Sequence, residues 1–152
     1  MPTTRPAENF CAELERRGFQ ATLHQDPPPK ETLFGAVGRD GAVTGAALLG
    51  NFDVVIYLAD VPPSSNYPTA RLEWTYWTAA NLPRYIHQVP TIVVSLANPY
   101  HLQDVPRVKT YINAYASDPN TITALIDKLT GSQAFTGINP VDPFAGYWDA
   151  RL

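Results

Sequence analysis

The sequence predicts an α/β fold, a three-layer α/β/α sandwich around a mostly parallel, flavodoxin-like sheet. FDVVIYLAD (52–60), TIVVSLA (91–97) and VKTYINAYA (108–116) are near-continuous β-branched and aromatic runs. Such runs suit strands buried on both faces rather than on one. Long or helical connections separate them, as parallel neighbours require. At 152 residues the chain suits one domain with one core, so the three runs share a sheet.

The elements follow in order. Residues 6–17 predict a helix: Pro6 fits the first turn, Glu8 the positive helix start, and Phe10 and Leu14 one apolar side. Gly18 is the expected C-terminal cap. FQATLH (19–24) reads as a short strand, ended by Asp26 and the triple proline 27–29. Residues 30–50 carry glycines at 35, 38, 41, 45 and 50, which discourage one long helix; about two helical turns are expected just before Asn51. RLEWTYWTAANLPRYIHQ (71–88) reads as partly helical, ending before Pro83. The strongest helix follows the third strand. Asp118 caps it, Pro119 starts it, Ile122, Leu125, Ile126 and Leu129 form one stripe, and Gly131 closes it. The expected organisation is one domain, 1–152, with 132–152 as an extended tail. Phe144, Tyr147 and Trp148 lead us to expect that tail packed down on the domain. Fifteen prolines, about twice average usage, punctuate the loops between short elements.

Composition excludes several function classes. The net charge is −3, with no run of lysine or arginine, so no basic face is expected to capture nucleic acid or an acidic membrane. No stretch reaches the roughly 20 apolar residues of a membrane span. Cys11 is the single cysteine, so no internal disulfide forms, and its place in a helix suits a buried, inert thiol. The compartment is not legible. GAVGRDGAVTG (35–45) matches neither GxxxxGK[ST] nor GxGxxG and precedes a strand, which reads as loop flexibility. His24, His87 and His101 are too widely spaced for a recognised zinc pattern. There is no GxSxG elbow. No metal, cofactor or catalytic residue is assigned.

What remains is a rim. In open α/β sheets, ligands gather beyond the carboxyl ends of the strands, here residues 25–26, 60–66, 98–101 and 117–118. Asn66, Tyr67, Arg71, Trp74, Asn98, Tyr100 and His101 fall in or near those segments. Their aromatic faces suit the apolar side of a sugar ring, and their polar groups its hydroxyls. The same rings equally suit core or interdomain packing, the commoner use of large aromatics. Acids near the rim, Asp26, Asp60, Glu73, Asp104 and Asp118, more often cap elements than catalyse.

VVSLANPY (93–100), DVP (104–106), INAY (112–115) and GSQAFTGINP (131–140) resemble the C-terminal sandwich domain of glycoside hydrolase family 3. The likeness is closest to its two-domain β-N-acetylglucosaminidase branch. FDVVIYLAD and the closing DPFAGYWDARL fit as well, so the resemblance covers roughly 50–152; residues 1–49 fit more loosely. It implies a TIM-barrel catalytic domain, in the same or a separate chain, that supplies the nucleophile and an Asp–His acid/base. A barrel needs about 250 residues, and its K-H-x-P-G stretch is absent here. Other branches take a glutamate from a sandwich loop, but nothing around Glu73 matches a catalytic motif. The resemblance thus implies a non-catalytic half of a β-N-acetylhexosaminidase-like enzyme that packs on the barrel and shapes its cleft. A stand-alone carbohydrate-binding or other small-ligand module, and an oligomerisation domain, are the alternative readings.

Overall fold

In a computed structural model, the described residues are 5–24, 50–66, 70–72, 86–105 and 108–146. Three strands, β1 (Val55–Ala59), β2 (Thr91–Ser95) and β3 (Thr110–Asn113), form one sheet in the order β1-β2-β3. Both pairings are parallel. Val55 through Ala59 stand opposite Thr91 through Ser95, and Ile92 through Ser95 opposite Thr110 through Asn113. With α1 (Pro6–Arg16) and α2 (Pro119–Leu129), this is the expected α/β architecture, consistent with a three-layer sandwich.

The strands are shorter than the apolar runs that announced them. Side chains alternate across a parallel sheet, and here the even positions build the core. Val94 and Leu96 are fully buried and pack with Ile56, Leu58, Ile92, Ile112 and Ala114. Phe10 and Leu14 of α1 and Ile122, Leu125 and Ile126 of α2 close this core from above. Fully burying one such side chain is worth about 1.5–3 kcal/mol, so this cluster is the main stabilising contribution. The odd positions of β2, Thr91, Val93 and Ser95, are buried as well, which explains why β2 lacks polar alternation.

The helix ends follow the sequence signals. Asp118 accepts hydrogen bonds from the amides of Asn120 (2.9 Å) and Thr121 (3.2 Å), satisfying donors that the first turn leaves open. Gly18 takes φ +89 past α1, and Phe19 N donates back to the Leu14 carbonyl at 3.1 Å, a Schellman closure. The two helices are joined by Arg17, which donates to Asp127 at 2.6 Å while gripping Glu13.

One expectation turns out differently. Residues 19–24 form no strand: Phe19 and Leu23 are 51% and 39% exposed, and no ladder partner for them stands among the described residues. The alternation was real, but nothing among the described residues offers it a sheet edge. The segment after β2 forms a 3-10 helix, Pro99–Asp104. Within the described part of the tail, Pro143 is buried while Phe135 and Ile138 are exposed. Most of 30–50 and of 71–88, with the helical turns expected there, lies outside the described residues, as do Tyr147 and Trp148.

Candidate functional site at the strand ends

Parallel pairing brings the carboxyl ends of all three strands to one lip. The segments leaving them are 60–66 after β1, 96–104 after β2 and 114–118 after β3. Of the sequence candidates, Asn66, Arg71 and Tyr100 are exposed there, Tyr100 by 45%. Tyr67 and Trp74 lie outside the described residues.

Asn98 and His101 face inward, with exposures of 4% and 0%. Asn98 caps the 3-10 helix by accepting from Tyr100 N at 2.9 Å, and its Nδ2 donates to the Ala70 carbonyl at 3.2 Å. His101 Nε2 lies 2.8 Å from that same carbonyl and can only donate to it. In the neutral ring Nδ1 is then an acceptor, 2.8 Å from Ser95 Oγ. The single hydroxyl proton of Ser95 therefore serves both Nδ1 and the Asn98 carbonyl, which is 2.5 Å away. Every polar atom of these two side chains is used to hold the lip together, because a buried polar group costs stability unless it is paired. As placed here, they support the rim rather than offer atoms to a ligand.

The target of both, Ala70, is fully buried with φ +41, a conformation that costs a non-glycine residue about 1–2 kcal/mol. Its neighbours are pinned as well. Arg71 Nε donates to Asp104 at 2.7 Å, with a second contact from Nη2, and Arg71 Nη1 donates to Gln103 at 2.8 Å. Leu72 N donates to the other Asp104 oxygen at 2.9 Å. Asp104 keeps the Arg71 guanidinium protonated even more firmly than usual. Gln103 also reaches the Pro143 carbonyl, tying the tail to the same 3-10 helix. The 98–104 segment thus over-determines a strained turn, a pattern that accumulates where geometry matters to function.

Sequence reasoning missed Tyr115. It leaves β3 at φ +64, is 46% exposed, and donates its hydroxyl to Asn139 of the tail. The available signal was its place at the end of the third apolar run, two residues before Ser117. Tyr111, four residues earlier, has its hydroxyl buried with no partner in hydrogen-bonding geometry. Burial pushes its pKa up to about 12.

Among the described residues, no three His, Cys, Asp or Glu side chains gather as metal ligands, and no helix is long and apolar enough to cross a membrane. Burial, aided by the charge of Glu15, pushes the Cys11 thiol up, away from the thiolate that reacts.

No family model matches the sequence. The chain is 49% identical, over 100 residues, to a β-N-acetylglucosaminidase/β-glucosidase of Cellulomonas fimi; the match takes in 66% of this chain and 18% of that protein. The solved structure of the β-glucoside phosphorylase BglX matches with a TM-score of 0.72 at 42% identity, over 96% of this chain and 24% of its own. The same enzyme bound to 2FGlc gives 0.72 and 40%, over 93% of this chain and 23% of its own. The chain therefore spans about a fifth to a quarter of these relatives. Its homologues are glycoside hydrolase family 3 proteins, and it matches only a fragment of them, consistent with a C-terminal domain.

Proposed function

We propose that this chain is a non-catalytic domain of a family 3 enzyme acting on β-linked glucosides or N-acetylglucosaminides, and that its strand-end lip packs on a catalytic TIM barrel and edges the substrate cleft. The observation that carries the reading is the disproportion of the match. Nearly all of this chain superposes on less than a quarter of a β-glucoside phosphorylase. The lip adds chemical sense. Arg71, Tyr100 and Tyr115 stand exposed on backbone that buried side chains hold rigid, and first contacts of this kind need rigid support. The relatives' names include both a glucosidase and a phosphorylase, so this domain is compatible with transfer to water or to phosphate, the choice lying with the barrel.

Two measurements test this. The purified chain should not turn over p-nitrophenyl β-N-acetylglucosaminide or β-glucoside; turnover abolished by Glu73→Gln would make the chain itself an enzyme and end the proposal. Residues 1–152 should also replace the matched segment of the Cellulomonas fimi protein with turnover retained, and Arg71→Ala in that chimera should raise KM more than it lowers kcat. A folded, monodisperse chimera without turnover would sink the reading.

A further inference from the structure

β3 is the last strand of the sheet among the described residues. Ala114 N donates to the Ser95 carbonyl at 2.8 Å. In parallel pairing this turns the even-numbered backbone groups of β3 toward β2 and those of Tyr111 and Asn113 outward. No turn, loop or helix among the described residues supplies those outward groups with a hydrogen bond. Natural sheets cover, shorten or charge such edges, because an open one pairs with whatever strand arrives.

Among the described residues this edge is neither bare nor blocked. It is the floor of a groove of about 970 Å³, walled on one side by α2 and on the other by the tail around Phe135–Asn139. Ile138 is 92% exposed and Phe135 55%, apolar surface that stands ready beside unpaired backbone. The groove is also charged in one sense. Among the described residues Lys109 and Lys128 line it and no carboxylate does, although the whole chain carries −3. Lys128 is held there, its ammonium donating to the Ala134 carbonyl at 2.7 Å and lying 5.8 Å from the Phe135 ring centre.

We propose that this groove is a strand-docking site: an extended polypeptide segment, apolar in alternation and acidic at its ends, adds to the sheet along β3. Backbone bonds to Tyr111 and Asn113 would give affinity, and the apolar groove walls and lysines would give selectivity, as in other strand additions. A second copy of this chain fits less well, since edge-to-edge pairing would join two grooves with four lysines and no carboxylate among their described lining residues. The segment comes from the remainder of the family 3 polypeptide, of which this chain matches about a fifth; that attribution rests on the proposed function above.

The test uses the 152-residue chain, 15N-labelled, and two capped peptides of alternating valine and threonine, one ending in glutamates and one in lysines. The glutamate peptide should shift the amides of Tyr111 and Asn113, bind about fivefold more tightly than the lysine peptide at low salt, and lose that advantage at high salt. Lys109→Glu should reverse the preference. No shift along β3 at millimolar peptide would overturn the proposal, as would equal binding of both peptides. A doubled solution mass with β3 shifts in the absence of peptide would do the same, since it would make a second copy the occupant. The peptides read the edge alone, so their failure is distinct from a failed chimera, which reads the lip.

Discussion

If His101 is a scaffold for the lip, its removal has a computable consequence. His101→Phe keeps the buried volume roughly constant and deletes two hydrogen bonds, those to Ser95 Oγ and to the Ala70 carbonyl. At about 1 kcal/mol each the loss is about 2 kcal/mol, a fall in Tm of about 4–8 °C for a domain of this size. Neither abandoned group is orphaned, because Ser95 still reaches the Asn98 carbonyl and Ala70 still receives Asn98 Nδ2. Asn98→Ala alone should cost about 1–2 kcal/mol, by losing that bond and the cap on Tyr100 N. Together the two changes leave the Ala70 carbonyl buried with no partner among the described residues, which adds a desolvation cost of about 1–3 kcal/mol. The double-mutant cycle, measured by urea unfolding with both slopes compared, should thus show the double variant at least 1 kcal/mol worse than the sum. Additivity within about 0.5 kcal/mol, or a His101→Phe chain as stable as the parent, would refute the shared-carbonyl clamp and return His101 to the pool of ligand contacts.

Other outcomes follow from the same structure. Tyr111→Phe should be neutral or stabilising by up to about 1 kcal/mol at neutral pH, since the hydroxyl it removes has no hydrogen bond. It should also flatten the alkaline limb of the stability profile. Tyr111 moves from 10.0 to about 12 on folding, so its contribution is complete below pH 10 and lost as pH rises toward 12. Full burial would make this ~2.7 kcal/mol, and partial exposure reduces it to about 1–2; urea midpoints between pH 9 and 12 decide. Leu96→Ala, at a fully buried core position, should cost about 3 kcal/mol by calorimetry. In acid, Glu13 is held below its ordinary 4.5 by hydrogen bonds from Arg16 and Arg17, and Asp118 below 3.8 by Thr121. The unfolded chain takes up those protons first, so stability is complete above the ordinary values and falls as pH drops through the folded ones. Glu13→Gln should therefore make the acid limb of the Tm profile shallower, and an unchanged limb would contradict the ion-pair account.

The sheet was legible because burial on both faces leaves a direct trace: β2 needs apolar side chains at Val93 and Val94 alike, so alternation disappears. The helix ends were legible because Asp118, Pro119, Gly18 and Gly131 act through their own backbone geometry, with no distant partner required. Residues 19–24 misled for the opposite reason. Alternation qualifies a segment for a strand but does not supply an edge, and pairing is a tertiary fact. The rim was half legible. Its location follows from parallel topology alone, but the direction each side chain faces depends on the 3-10 helix that Asn98 starts. A period-three turn after a strand sends Asn98 and His101 under the lip and leaves Tyr100 above it, and no composition rule separates those three neighbours. Tyr115 was invisible because its interest lies in a backbone angle.

That angle can be put to use. Ala70 and Tyr115 both adopt left-handed backbone in segments beyond the strand ends, the one fixed by Asn98 and His101, the other tethered through its hydroxyl to Asn139. Strain of this kind persists only where neighbours over-determine it, so relieving it separates stability from function. Tyr115→Ala and Tyr115→Gly both delete the ring and the tether, and they differ mainly in the cost of φ +64. The glycine variant should be more stable by about 1 kcal/mol, the left-handed penalty offset in part by glycine's greater unfolded freedom. If the alanine variant is the more stable, the residue is not left-handed in solution. In the chimera with the Cellulomonas fimi protein, the proposed function has both variants raise KM to the same degree despite their different stabilities, because each removes the same aromatic face from the lip. A KM that instead follows stability would mean that Tyr115 holds the lip together and touches nothing beyond it.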